Sequence, residues 1–359
     1  MTISLLTSVS KGWLHEEGGF TFGERYYMDP LYRQMVDIRI DHYLQERFPD
    51  HAFYNMESNL MQRDFWQPDY VYVGGIQPNL IMGACLGIEM AWYDDQDIDL
   101  VEPAPLSDIT STADLPPAEA LLAHPFIQEF DQQIIELQES RPDLIIIPPF
   151  FWDLSGRATI HGFITTSTKL FGESIFLKMV EDPGFVLDFH EWIADLSIAF
   201  IQHFSLLSGI PANSVHIGEC SGTMIGGKHY DQYVVPFINK VADAIGPVRL
   251  HSCGLSNHLL KPMSHIRRLQ GLDTGSNTSV KRVREQLGPD FRLDLAPPLE
   301  ALREGAEKKV MLDWLDEVLY ENGDGPLQLG YHIEPGYSVE NCLVVHDELD
   351  RRVLVTKGR

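Results

Sequence analysis

A strand pattern runs directly into two possible metal ligands in the stretch Val248-Arg249-Leu250-His251-Ser252-Cys253-Gly254. Side chains two residues apart in a strand share a face, so the imidazole of His251 and the thiol of Cys253 would point the same way. Gly254 would let the chain turn at once, which places both groups at the exposed end of the strand. Imidazole and thiolate together suit a zinc ion. The alternative is a buried cysteine beside a hydrogen-bonded histidine.

Short apolar strands alternate with helices on both sides of this stretch. The strands are predicted at 70–73, 89–93, 144–147, 215–218, 248–251, 269–273, 291–295 and 327–331. Such alternation is typical of right-handed βαβ units around a buried parallel sheet. Seven or eight units after residue 69 favour a closed (β/α)8 TIM barrel over an open doubly wound sheet. No Gly-x-Gly-x-x-Gly follows a strand, so nothing favours a dinucleotide-binding fold.

The N-terminal residues lack this alternation. Residues 1–24 are glycine-rich without clear periodicity, which predicts an arm or cap. Asp29 followed by Pro30 is typical of a helix start, and the helix is expected to continue to about Phe48. We therefore expect an N-terminal helical arm (residues 1–68) packed on a barrel (residues 69–359) within a single structural domain.

The composition is acidic, with 52 Asp and Glu against 27 Lys and Arg in 359 residues. A negative surface argues against nucleic acid or an anionic membrane as a partner, because both require clustered basic side chains. No apolar run approaches the roughly 20 residues of a membrane span. The four cysteines show no disulfide framework, which favours a reducing, cytoplasmic location.

The active site of a barrel of this kind lies at the carboxyl ends of its strands. Polar, aromatic and sulfur-containing side chains follow several predicted strands here, which predicts one shared metal and substrate site. They are Gln77, Phe151, Trp152, Asp153, Glu219, Cys220, His251, Cys253, Asp273, Asp294, Tyr331 and His332.

Several of these residues have a plainer interpretation. Glu219 could be an exposed loop carboxylate, Cys220 a small buried residue, and His332 a core or loop histidine. Asp273 and Asp294 could each cap the helix that follows. Two further histidines, His161 and His258, are predicted to lie on helices, in a second layer or at the surface.

A zinc site with thiolate and imidazole ligands is either closed and structural or open and catalytic. Here the ligands would come from separate strands at the functional face of the barrel, which favours an open site. Zinc in such a site can bind a thiol and lower its pKa. The resulting thiolate is a good acceptor for a methyl group.

These residues resemble those of the uroporphyrinogen decarboxylase superfamily and, within it, of the corrinoid-dependent methyltransferase branch. The resemblance runs from about Gly23 to the C-terminus. It is carried by Gly23-Glu24-Arg25-Tyr26, Glu181-Asp182-Pro183, Gly218-Glu219-Cys220-Ser221-Gly222 and Gly330-Tyr331-His332-Ile333-Glu334-Pro335. It implies a (β/α)8 barrel, and His251-x-Cys253-Gly254 is like the zinc signature of the methyltransferase branch.

Two departures from the superfamily pattern matter. Decarboxylases carry an Arg-Gln-x-x-x-Arg segment and an Asp after the first barrel strand, where this chain has Gly74-Gly75-Ile76-Gln77. The methyltransferase branch typically has its third zinc ligand, a cysteine, in the last strand, where this chain has Tyr331-His332. The resemblance therefore leaves His332, Glu219 and Cys220 as candidates to complete the ligand set.

The resemblance implies a zinc-dependent methyltransferase that moves a methyl group between a corrinoid, such as methylcobalamin, and a small donor or acceptor. The corrinoid would be carried by a partner corrinoid protein, and a thiol or tetrahydrofolate would serve as the small molecule. We expect metal ligands from His251, Cys253, His332 and Cys220, and catalytic roles for Glu219 and Tyr331. The residues expected around the substrate are Trp152, Asp153, Phe151, Gln77, Asp273 and Asp294. The alternatives are a decarboxylase of tetrapyrrole side chains and a non-catalytic corrinoid- or metal-binding accessory protein.

Overall fold

A parallel sheet forms the centre of the computed structural model, which describes residues 3–55, 69–102, 104–152 and 154–351. The strands in this part of the chain are β1 (Ile3–Val9), β2 (Tyr54–Asn55), β3 (Tyr70–Tyr72), β4 (Met90–Ala91), β5 (Asp99–Leu100), β6 (Ile145–Ile147), β7 (Arg157–His161), β8 (Ser214–Gly218), β9 (Val248–Ser252), β10 (Leu269–Thr274), β11 (Arg292–Leu295) and β12 (Leu327–Ile333). Eight of them form one sheet in the order β2-β1-β12-β11-β10-β9-β8-β7. A separate parallel pair joins β3 to β6, and an antiparallel pair joins β4 to β5.

Helices connect the strands and cover the sheet. They are Lys11–Gly18, Glu24–Met28, Pro30–Arg47, Pro78–Cys85, Ala118–Leu122, Pro125–Ser140, Phe163–Leu170, Ile175–Glu181, Pro183–Ser208, Gly227–Tyr233, Val235–Ala244, Leu260–Met263, Val280–Leu287, Leu299–Leu302, Lys308–Asn322 and Val339–Arg351. The predicted helix start at Asp29 is confirmed, since its carboxylate accepts a hydrogen bond from the Tyr32 amide. None of the helices in the described ranges has the length and apolar character needed to cross a bilayer.

One cavity of about 1350 Å³ shows how the sheet is bent. Its wall includes residues of β1, of β7 to β12, and of the segments that follow β3 and β6. Strands near the two edges of the eight-stranded sheet can line one cavity only if the sheet curls, and the β3–β6 pair faces the same space. The expected class of fold, an α/β barrel, is confirmed.

Alternation along the strands divides their side chains between this cavity and the helices. In β9, Val248 and Leu250 are fully buried in the apolar core, whereas Arg249 and His251 line the cavity. Burial of an aliphatic side chain of this kind stabilises the fold by about 1.5–3 kcal/mol. The apolar half of each strand thus holds the sheet against the helices, and the polar half remains available for a site.

The prediction that residues 1–24 form an arm outside the barrel is wrong for its first residues. Ile3–Val9 is a strand of the sheet and pairs with β12 from Ile3↔Leu327 to Val9↔Ile333. Its two ends, Ile3 and Val9, are completely buried. The polar residues Ser4, Thr7 and Ser8 face the interior or its polar neighbours, and they hide the apolar pattern of a buried strand.

The prediction that His161 lies on a helix is wrong. Arg157–His161 is instead strand β7, which pairs with β8 from Arg157↔Ser214 to His161↔Gly218. The helix begins only at Phe163, after Gly162. His161 therefore lies at the carboxyl end of a strand rather than on a helix.

Candidate metal and substrate site

Three possible metal ligands meet at the ends of β8 and β9. Cys220 begins the 3-10 helix that follows β8, His251 lies within β9, and Cys253 follows β9 directly. One ligand atom from each lies within 4.8 Å of the other two. Within the described part of the chain, this is the group of three or more His, Cys, Asp or Glu side chains that could hold a metal ion. Two sulfurs and one imidazole nitrogen form a donor set that suits zinc.

Two glycines allow the loops around these ligands to approach each other closely. A Cβ on Gly254 would lie 2.9 Å from the Thr223 hydroxyl oxygen, in the 3-10 helix that carries Cys220. A Cβ on Gly275 would lie 2.5 Å from the Cys253 carbonyl oxygen. Gly254 therefore serves the close packing of the two ligand-bearing loops, in addition to ending the strand.

Asp273 orients the imidazole of His251. The two residues are registered neighbours on β9 and β10, and His251 Nδ1 lies 2.8 Å from Asp273 Oδ2. Because a carboxylate only accepts, Nδ1 is the donor, and Nε2 is left free to bind a metal. Histidine ligands in metal sites usually have such a carboxylate partner, which fixes the tautomer and the ring orientation.

Arg249 in turn holds Asp273 in a buried polar network. Its guanidinium donates to Asp294 Oδ2 at 2.8 Å and to Asp273 Oδ2 at 3.0 Å, and it lies 2.8 Å from His216 Nδ1. Burial opposes ionisation of Asp273, but Arg249 and His251 outweigh it and hold the pKa of Asp273 well below its ordinary value. Asp273 is thus a fixed negative charge behind His251.

The three ligands differ in how readily they lose a proton. Hydrogen bonds from Cys220 and His251 lower the pKa of Cys253 to about 4. The hydrogen bond from Cys220 to Cys253, together with burial, raises the pKa of Cys220. Burial opposes protonation of His251, but Asp273 outweighs it and raises its pKa to about 10. Cys253 is therefore the group that most readily becomes a thiolate.

Five of the six residues predicted around the substrate line the cavity. They are Gln77, Phe151, Trp152, Asp273 and Asp294. The Trp152 ring packs against the His216 ring, with 4.6 Å between ring centroids, and the Arg157 guanidinium lies 5.3 Å from the Trp152 ring. The sixth, Asp153, lies outside the described residues.

The last strand does not contribute to the ligand cluster. The Tyr331 hydroxyl donates to the carbonyl of Cys342 on helix Val339–Arg351, so the phenol proton is already engaged there. Tyr331 is also among the residues that line the cavity, and the catalytic role predicted for it stays a prediction. His332 lines the cavity, but its Nδ1 bonds the Ser8 hydroxyl at 2.8 Å, and it is not among the three clustered ligands.

Glu219 is completely buried and is not among the described residues that line the cavity. Its carboxylate accepts hydrogen bonds from the Ile164 amide at 3.2 Å, the Thr165 amide at 3.1 Å and the Thr165 hydroxyl at 3.2 Å. It therefore caps the N-terminus of helix Phe163–Leu170, where a negative charge is favourable. Burial nevertheless raises the pKa of Glu219 to about 7. The catalytic role predicted for Glu219 does not match this position.

The Glu219→Gln substitution is expected to destabilise the protein by about 1–3 kcal/mol, because the amide NH2 group would face a backbone donor. The Thr165 hydroxyl also accepts from the Ser221 amide at 3.1 Å, so the change should loosen the segment that carries Cys220. Urea denaturation measures the first effect. The exposed Glu300 offers the control Glu300→Gln, and equal stability of the two variants would contradict the capping role.

The residues that line the cavity but were missed as members of the site include Arg249, His216 and His161. Arg249 and His216 face inward by the same alternation that identifies His251, so their strands contained the signal. His161 was concealed by the helix predicted over its segment. In the structure it lines the cavity at the end of β7.

The fold and this cluster define an α/β barrel with a possible soft-metal site at the carboxyl ends of its strands. Residues 157–293 match the family model for uroporphyrinogen decarboxylase (URO-D). The matched segment spans β7 to the first half of β11 and includes Cys220, His251, Cys253 and Asp273. The resemblance to the uroporphyrinogen decarboxylase superfamily is thereby confirmed for this central part of the chain.

A solved structure of a methyltransferase supports the fold. A methyltransferase from Methanosarcina mazei is 15% identical in sequence, with a TM-score of 0.63 over 98% of this chain and 94% of that chain. At this identity the likeness shows a common fold. A B12-independent methionine synthase from Shewanella sp. W3-18-1, in complex with selenomethionine, is 10% identical over 63% of this chain and 67% of its own, with a TM-score of 0.35. No curated protein sequence matches the chain.

Proposed function

We propose that this protein is a zinc-dependent methyltransferase that uses a corrinoid as the methyl carrier. The observation that carries the proposal is the convergence of Cys220, His251 and Cys253 beside a large cavity at the strand ends. The donor set fits zinc, because thiolate and imidazole are its preferred ligands in proteins. Three protein ligands also leave one position of a tetrahedral site for a substrate.

The chain's own residues would have separate tasks in such a site. Cys220, His251 and Cys253 would hold the ion, and Asp273 would keep His251 Nε2 directed at it. When bound, zinc would supply the Lewis acidity that lowers the pKa of a thiol substrate. Trp152 and Phe151 would limit access of water to the substrate.

Exposed apolar side chains at the mouth support a partner that delivers the corrinoid. Met224, Leu255 and Leu299 follow β8, β9 and β11, and each is more than half exposed. Apolar groups clustered around a functional opening are typical of a protein-binding surface. The corrinoid would be bound to a partner protein docked there, and its methyl group would exchange with a small thiol or with tetrahydrofolate inside the cavity.

A decarboxylase of tetrapyrrole side chains is the second candidate, because four arginines line the cavity and would suit an anionic substrate. They are Arg33, Arg157, Arg249 and Arg292. At least three of these charges are already matched within the chain. Arg249 and Arg292 both pair with Asp294, and Arg33 pairs with Asp37. The segment after β3, Gly74 to Gln77, also lacks the aspartate that decarboxylases carry there. The zinc methyltransferase therefore accounts for more of the site.

Zinc analysis and a demethylation assay test the proposal together. Protein purified without added metal is expected to contain about one equivalent of zinc, since a Cys2His site binds it tightly. Incubation with methylcobalamin and a panel of thiols should demethylate the corrinoid, and the change in the corrinoid's absorbance measures this conversion. Zinc without conversion would favour the accessory protein. Absence of zinc, with turnover of uroporphyrinogen, would favour the decarboxylase.

A further inference from the structure

His161 occupies a position for which the proposed function has no role. It lies at the end of β7, lines the cavity, and has a buried Nδ1 with no hydrogen-bond partner among the described residues. Burial, and then the charge of His251, lower the pKa of His161 to about 4, so the ring is neutral and can donate as well as accept.

The sheet register places His161 level with the metal ligands. His161 pairs with Gly218 on β8, and Gly218 pairs with His251 on β9. Residues paired in the register of a parallel sheet face the same side. The imidazoles of His161 and His251 are therefore separated by strand β8, which has no side chain at this level because the residue there is Gly218. Two strand spacings amount to about 9–10 Å between the backbones of β7 and β9.

The space over Gly218 is open towards the ligand cluster. Among the described residues, and apart from its two chain neighbours, a Cβ added to Gly218 would have two neighbouring atoms within 4 Å: His161 Cδ2 at 3.8 Å and the Ile160 carbonyl oxygen at 3.9 Å. Neither belongs to the cluster of Cys220, His251 and Cys253. Because Cδ2 is bonded to Nε2, a ligand in this space would meet Nε2 of His161, whereas Nδ1 lies on the opposite edge of the ring.

We propose that the small thiol bound at the proposed metal site lies over Gly218 and is hydrogen-bonded by His161. This inference rests on the proposed function. His161 is assigned to the thiol rather than to the metal, because it is outside the group whose ligand atoms lie within 4.8 Å of one another. Its imidazole would donate to the sulfur, and Gly218 would form the floor beneath the thiol's carbon chain.

The test uses the cobalt(II)-substituted full-length protein, titrated with ethanethiol while the thiolate-to-cobalt absorption band is recorded. His161→Phe keeps a ring of similar size without hydrogen-bonding groups, and should weaken ethanethiol binding about fivefold with the metal content unchanged. His161→Gln keeps a donor and should recover part of the affinity. It also serves as the second variant if His161→Phe does not fold.

Gly218→Ala independently tests whether the thiol lies over Gly218. The methyl group fits the protein without a close contact, and an alanine does not weaken a strand relative to glycine. It would, however, occupy the space of the thiol, so we expect ethanethiol binding to fall by about tenfold with the metal content intact. The control is Gly330→Ala, which adds a methyl group to the cavity wall on β12 and should leave ethanethiol binding unchanged.

The outcomes separate the two proposals. If the unmodified protein binds neither zinc nor cobalt, the proposed function and this inference both fail. If metal binds and His161→Phe and Gly218→Ala take up ethanethiol as the unmodified protein does, only the inference is overturned. Loss of metal in His161→Phe would make His161 a ligand, which also overturns it.

Discussion

Cys220→Ser is expected to reduce bound zinc from about one equivalent to less than about a tenth, while His332→Ala keeps it. Loss of the hydrogen-bond partner of a metal ligand typically lowers metal affinity by about 10–100-fold. Loss of a thiolate ligand itself should therefore lower it by more than about 100-fold. The physical reason is geometric. Cys220 lies with His251 and Cys253, whereas His332 is bonded to the Ser8 hydroxyl and lies outside this group.

Elemental analysis after dialysis against a weak chelator measures this difference. Cys85 offers a matched control, because it is a buried free cysteine on helix Pro78–Cys85, and Cys85→Ser should retain zinc. Retention of zinc by Cys220→Ser together with its loss from His332→Ala would show that the third ligand lies on β12. That result would return the site to the pattern expected from the superfamily resemblance.

The choice between Cys220 and His332 shows how far the sequence could be followed. Alternation within β9 places His251 and Cys253 on one face, and this property is local to seven residues. Whether Cys220 or His332 meets them depends on which strands are neighbours. β8 lies next to β9, but β12 is separated from β9 by β10 and β11. This order follows the chain, so the predicted barrel already implies it; the sequence does not show whether the loop after β8 brings Cys220 close to His251 and Cys253.

The two missed strands have a different cause. β1 has polar residues at Ser4, Thr7 and Ser8, whose hydrogen-bond partners Gln328, Ala52 and His332 are distant in sequence and cannot be recognised before the fold is known. In β7, Arg157 and Thr159 alternate with Ala158 and Ile160, but the short strand runs almost directly into helix Phe163–Leu170. The end of this strand was therefore predicted as part of the helix that follows it, and His161 was placed on that helix.

The Asp273→Asn substitution is expected to weaken zinc binding by about 10–100-fold, the usual effect of removing the charged partner of a histidine ligand. The amide oxygen of the new side chain can still accept from His251 Nδ1, so the imidazole ring keeps its position. The amide has no negative charge, however, and the charge of Asp273 is what makes the imidazole a stronger donor to the metal. Competition with a chromogenic chelator measures the affinity of the purified variant. An unchanged affinity would contradict the role assigned to Asp273.

Asp294→Asn is the matched control, because Asp294 binds the same arginine without contact to His251. Arg249 donates to both carboxylates, and each change removes one of its two charged partners from a buried network. We expect both variants to lose about 1–3 kcal/mol of stability, since a hydrogen bond to a charged group is weakened in each. Only Asp273→Asn should also lose zinc affinity. A similar loss in both would mean that the charge of the whole network, rather than the His251–Asp273 hydrogen bond, sets the strength of metal binding.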